Sequence, residues 1–330
     1  MAFKASKLRV KRATPYGEGK PIVPNAGVSR WYIDQLTPYV KAMAKDYQTN
    51  LEAVMNTKKA DQFFDGEAMD ASIFDLIKKR NKKIEEIFAN VLDGLNKKWS
   101  NVFKGLAKKV APEFVDQADT AANSSTRYSL EVAGIEQPRM TYNEYAKNVK
   151  GAAVKYNTTL ISGIQEEAHE KVYNSVMLSL TSPNPDEQGM PGIEKALHDI
   201  GIHAENRVKL IARDQTSKLY GALGTDRMKQ NGVMFFRWQH TFGSGGGSKR
   251  GKIAWRESHE KLDNEVFWID DPELWKVGKY FTKKGDIGIP GYAINCHCRM
   301  IPIVLLTESD WESLSRRYSK KQIEEWRKVA

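Results

Sequence analysis

From Ile73 to Val110 apolar side chains recur at spacings of three, four or seven, and this run limits the possible folds more than any other part of the sequence. Ile77, Ile84, Phe88, Leu95, Trp99 and Leu106 fall on one stripe, and the positions between them carry Lys, Glu, Asn and Asp. That pattern predicts an amphipathic helix, interrupted near Gly94 or Gly105. At 1.5 Å per residue it would reach roughly 50 Å. Its lysines, Lys78 to Lys109, read as a solvated face. A helix this long with one apolar side must bury that side against other helices, and the sequence offers candidates. Ser29 is a plausible N-cap for a segment bearing Tyr32, Leu36 and Met43, in which Pro38 should introduce a kink or mark the true start. Tyr142 to Leu180 repeats the pattern. So do Ile193 to Ile200 and Glu205 to Gln230, the last closing on Asn231-Gly232, which suits a C-cap. Pro112 is expected to end the long helix, with Asp116 to Ser125 as a polar linker.

Beyond Gly232 the character changes. Val233 to Thr241, Val266 to Ile269 and Ala293 to Leu306 are rich in β-branched and aromatic residues and predict three short strands. The glycine-rich stretch at 243–251 lacks the spacing of a phosphate loop and predicts a surface loop. Thr307 and Asp310 form a capping box leading into a last helix with Trp311, Leu314, Ile323 and Trp326. The expected fold is mainly α with a C-terminal α+β module: long amphipathic helices, then a small mixed domain with short strands and a helical tail. The expected divisions are a basic extended arm at 1–28, a helical body at 29–204, the α+β module at 205–307 and a C-terminal helix at 308–330. The arm, basic and interrupted by Pro15, Pro21 and Pro24, is expected to run extended against a partner.

A net charge of +10 and a pI near 9.3 favour acidic partners, with nucleic acid or an acidic protein surface foremost. Only two cysteines are present, too few for a disulfide framework. No apolar run approaches a membrane span, and the N-terminus lacks the apolar core of a secretory signal, so no membrane association is expected.

Those two cysteines, Cys296 and Cys298, stand one residue apart. On an extended segment they would share a face, with His297 on the other. Two neighbouring thiolates are half of a tetrahedral zinc site. Among the six histidines, His259 and His240 lie within the mixed module and are the candidates to complete a Cys2His2 set. The alternative is a buried thiol pair in a small core. A thiolate nucleophile activated by His259 is a further reading, but no orienting residue or oxyanion loop accompanies it. A nuclease site of His259, Asn295 and His297 is another, with the wrong order and spacing for a ββα-metal centre.

Four segments, in order, resemble the head morphogenesis (Mu F-like) minor capsid proteins of tailed bacteriophages. They are Ile211-Ala212-Arg213-Asp214-Gln215; Gly232-Val233 with Arg237-Trp238; Arg256 and His259 followed by Leu262 to Phe267; and Pro290-Gly291 with Ile294-Asn295-Cys296-His297-Cys298-Arg299 and Pro302-Ile303-Val304. The resemblance covers residues 205–305. It departs where Thr241-Phe242-Gly243 replaces a Thr-x-x-Asp-x-Arg setting, and where His297 replaces an arginine. It implies a few-copy, non-enzymatic structural protein that docks on the portal vertex inside the capsid and assists head assembly, DNA packaging or ejection. The partners it implies are the portal protein, the major capsid or scaffolding protein, and packaged DNA through non-specific phosphate contacts. It would be found in the virion, in the capsid interior near the portal, and in the host cytoplasm during assembly. The reading of a different class is a metal-dependent, nuclease-like enzyme acting on nucleic acid through His259 and the 295–298 cluster. No catalytic residue is assigned; Zn2+ is the one candidate cofactor.

Overall fold

A computed structural model describes residues 17–55, 71–181, 190–241 and 257–328. The glycine-rich stretch at 243–251, most of the basic arm, Arg256 and the side chains of Ile73, Ile77 and Ile84 lie outside the described residues. Four long helices come first: α1 (Ala26–Met55), α2 (Ala71–Val132), α3 (Glu144–Thr181) and α4 (Met190–Gln230). Then follow β1 (Phe235–Gln239), a single turn α5 (Glu257–Glu260), β2 (Val266–Trp268), 3-10 turns at Pro272–Trp275 and Lys284–Asp286, β3 (Arg299–Ile303), α6 (Glu308–Ser315) and α7 (Lys320–Arg327). The architecture is mainly α with a C-terminal α+β module. Among the described residues no helix is long and apolar enough to cross a membrane.

The helix ends and breaks depart from the sequence reading in instructive ways. Helix α1 starts at Ala26 and is capped by Asn25, whose Oδ1 accepts from the Gly27 N–H at 2.7 Å, so Ser29 is not the cap. Pro38 lies inside it. Helix α2 continues through Pro112 and through the supposed linker. Proline removes one helix hydrogen bond, to the carbonyl of Lys108. Lys108 is exposed, so water can satisfy that carbonyl, while Val110, Ala111, Phe114, Val115, Ala118 and Ala122 are buried around the proline. Apolar burial on both sides outweighs the lost bond. The alanines among the polar residues of 116–125 are the buried face. Helix α4 is continuous over 193–230 and ends as expected, with Gly232 at φ +72° and the Val233 N–H bonded to the Met228 carbonyl. The C-terminal tail is two helices, because Ser319 and Gln322 make a second capping box after that of Thr307 and Asp310.

The chain divides into two compact units that are not consecutive in sequence: 30–112 with 155–211, and 1–29 with 113–154 and 212–330. In the first, α1 buries Tyr32, Leu36, Val40, Met43, Tyr47 and Leu51, spaced by three or four. Segments of α2, α3 and α4 offer matching stripes, among them Phe88 to Trp99, Ile161 to Val176 and Val208 to Ile211. Polar pairs set the register inside this apolar interior. Tyr47 Oη lies 2.9 Å from His169 Nδ1, Gln165 donates to Asn96 at 2.9 Å, and the Trp99 indole donates to Asp46 at 2.8 Å. Such groups are costly to bury unless bonded, so each pairing disfavours a slipped arrangement of the helices.

The second unit is built on an antiparallel sheet in the order β2-β1-β3, with Phe236 opposite Phe267 and Pro302. Alternation along β1 puts Phe236 and Trp238 in one core, with Phe267, Met300, Tyr220 and Leu130. Phe235 enters another, with Val266, Trp311 and Leu314. The third strand is shorter than expected, since Ala293 to Cys298 is not strand. Within the expected arm, the segment Gly17 to Ile22 runs along the edge of β3, and α1 already begins at Ala26. The Gly19 N–H bonds to the Pro302 carbonyl and the Ile22 N–H to the Met300 carbonyl, both at 2.9 Å, and Ile22 is buried. Edge groups of β3 supply the hydrogen bonds that a proline-rich segment cannot make within itself.

Arg237 of β1 joins three parts of this unit. It bonds Glu18 at 3.0 Å, the Asn264 carbonyl at 3.0 Å and Asp310 at 2.8 Å. Asp310 is almost fully buried and also closes the α6 capping box. Removing the guanidinium would leave that carboxylate buried without its cation. Arg237→Ala should therefore lower stability by about 2–4 kcal/mol, read from urea unfolding of the whole chain. A loss below about 0.5 kcal/mol, the level of an ordinary surface pair, would contradict the assignment.

Candidate metal centre

Three side chains from two places in the mixed unit converge beside Trp238. His259 sits on α5, Cys296 and Cys298 on the segment leading into β3, and all three are buried. His259 Nδ1 lies 3.4 Å from Cys296 Sγ and 3.6 Å from Cys298 Sγ, and the three donor atoms are all within 4.8 Å of one another. They could hold a metal ion. Around a tetrahedral zinc, sulfur and nitrogen ligands would stand roughly 3.5 Å apart, given Zn–S near 2.3 Å and Zn–N near 2.05 Å. The spacing already fits.

The local chain explains the convergence. The cysteines do not sit on one face of a strand, as the sequence suggested. A tight turn precedes β3, in which the Cys296 N–H bonds the Ala293 carbonyl at 2.9 Å and Asn295 adopts φ +55°. Asn tolerates the left-handed region better than other non-glycine residues. The turn folds Cys296 back so that both thiols meet the same imidazole.

The imidazole itself is fixed. His259 Nε2 is 2.7 Å from the Asp286 carbonyl, which can only accept, so the proton is assigned to Nε2 and Nδ1 offers its lone pair to the thiols. A ligating histidine commonly uses its second nitrogen in this way. Edge-on contacts with Trp238 at 5.2 Å and Phe281 at 5.6 Å hold the ring plane. The buried Trp238 indole N–H has no partner of regular geometry among the described residues and lies beside Cys298, favouring its thiolate. Thr241 adds a bond to the His297 carbonyl at 2.7 Å.

Of the four predicted ligands, the structure brings together His259, Cys296 and Cys298 and leaves His240 outside the group. Strand β1 ends at Gln239, and the His240 N–H is tied to Asp263 Oδ1 at 2.7 Å, away from the sheet register that carries Trp238 inward. Asn295 and His297 contribute to the turn through backbone groups, the Asn295 N–H donating to Asp214 at 3.1 Å. The Asp286 carbonyl and Trp238 were not foreseen as parts of the site. A backbone acceptor carries no residue signature, and the tryptophan reads equally well as core.

Without metal the two thiols share one proton. A hydrogen bond from Cys298 holds the Cys296 thiol well below its ordinary 9.0 despite burial. The same bond, with burial added, pushes Cys298 up. Folding thus makes the first thiol proton of the pair easier to lose and the second harder. The pair therefore makes metal-free protein more stable as pH rises toward 9.0 and less stable above it, where the unfolded chain has lost both protons and the folded pair still keeps one. Urea midpoints from about pH 7 to pH 10 should show this rise and fall in metal-free wild type relative to Cys298→Ala. Parallel curves for the two proteins would contradict the shared proton.

No protein-family model matches the chain, and no solved structure matches it. The chain is 25% identical over 294 residues to an uncharacterized protein of Haemophilus influenzae, an alignment covering 86% of this chain and 55% of that protein. The chain thus spans about half the length of the curated relative it matches.

Proposed function

We propose that the chain is a structural minor head protein of a tailed bacteriophage, docking on the portal vertex inside the capsid and assisting head assembly, DNA packaging or ejection. The observation that carries this reading is the ordered set of four motif segments, whose described residues from Ala212 onward fall in one unit: Asp214 bonds the Asn295 turn, Trp238 contacts His259, and His259 meets Cys296 and Cys298. Motifs distant in sequence thus serve one closed arrangement. The net charge of +10 suits a place beside packaged DNA, where contacts would be made to phosphates and not to sequence. The portal protein is the proposed principal partner, with major capsid or scaffolding protein as further contacts.

The ion proposed for the centre is zinc, which favours nitrogen and sulfur ligands in tetrahedral array. Here its role is to clasp α5 to the Cys296 turn. The three donors fill three of four tetrahedral positions, and their burial supports a structural role over a hydrolytic one, which needs a fourth position that substrate can reach.

Particles assembled without this chain should differ in protein composition, DNA content or infectivity; normal, fully infectious heads would refute the role. For the ion, metal analysis of the purified protein should find one zinc per chain, lost in His259→Ala. A strong chelator should lower the melting temperature of wild type and leave that variant unmoved. Cleavage of DNA with divalent ions, abolished by His259→Ala, would instead favour a nuclease.

A further inference from the structure

We infer that Asp214 is a positioning residue of the metal centre: its carboxylate latches the turn that presents Cys296. This rests on the reading that the centre holds zinc. Asp214 lies in the Ile211 to Gln215 stretch of α4, and its side chain is only 9% exposed. A carboxylate there needs partners. Oδ2 takes them from its own helix, accepting from Lys218 Nζ at 2.7 Å and Gln215 Nε2 at 3.0 Å. Oδ1 accepts from the Asn295 N–H at 3.1 Å, one residue before Cys296.

Asp214, Ser217 and Gly221 are spaced by three and four, so they share one face of α4. The segment Ile289 to Asn295 lies along that face at close range. A Cβ on Gly291, which has φ +86°, would come within 3.3 Å of the Ser217 carbonyl oxygen, and one on Gly221 within 3.3 Å of Ile289 and 3.4 Å of the Pro290 carbonyl. Two glycines allow the approach, and the Asp214 bond pins its far end. With Asn295 held at φ +55°, the Cys296 sulfur is aimed at His259. Asp214 thus does for Cys296 what the Asp286 carbonyl does for His259. A carboxylate serving only as the partner of Lys218 would affect stability and leave the metal unchanged.

The test uses the full chain. Asp214→Asn keeps the shape and loses the charge that orders the group. Zinc affinity, measured by competition with a chromophoric chelator, should fall 10–100-fold, the usual effect of removing an outer-shell partner. The thiolate-to-metal charge-transfer band of the Co2+-loaded protein should shift, with far-UV circular dichroism unchanged. Wild-type affinity and an unshifted band would overturn the inference. If Asp214→Asn does not fold, Asp214→Glu, which keeps the charge but displaces the acceptor, is read the same way. If wild type takes up no zinc, the metal reading fails separately, and amide exchange decides the latch. Faster exchange at Asn295 in the variant supports it; equal exchange overturns it.

Discussion

His259 is buried with its two nitrogens committed in opposite directions, one to the Asp286 carbonyl and one to a pair of thiols. The arrangement of the mixed unit follows from that commitment. The ring must stand between the 3-10 turn at Lys284–Asp286 and the Cys296 turn, so both are drawn against the face of the sheet that carries Trp238. A buried imidazole, two thiols and an indole N–H would be a poor core if left unpaired. Brought within ligand distance of one another they become either a proton-sharing network or a metal site, and the same geometry serves both.

The sheet has three short strands and is apolar on both faces, so it depends on what covers them. The antiparallel ladder is extended by the Gly17 to Ile22 segment and anchored by Arg237, while Trp311 and Leu314 cover the face opposite Trp238. The unit of 30–112 and 155–211 meets a different constraint, since long helices can slide by a turn with little loss of apolar contact. Tyr47 with His169 and Gln165 with Asn96 make each slip leave buried polar groups unbonded.

Much of this was legible in the sequence where a residue type has a single local use. Asn231-Gly232 ended a helix and Thr307 with Asp310 began one, because caps are decided within four residues. The thiol pair and His259 could be associated because few residue types ligate soft metals. The rest depended on burial that local pattern does not carry. Pro112 reads as a stop, and only the exposed Lys108 carbonyl and the buried alanines beyond it let the helix run on. The Cys296 turn reads as strand, because the left-handed Asn295 is stabilised by a carboxylate some eighty residues away. His240 looked as eligible as His259 until the end of β1 placed it outside the donor group.

The claim on which the account turns is that the motif-bearing unit closes around a metal held by one nitrogen and two sulfurs. X-ray absorption at the zinc edge of the purified, full-length protein measures this directly. Two sulfur scatterers near 2.3 Å and an imidazole nitrogen near 2.0 Å are expected. A first shell of oxygen and nitrogen alone, or no zinc in the protein, would contradict it.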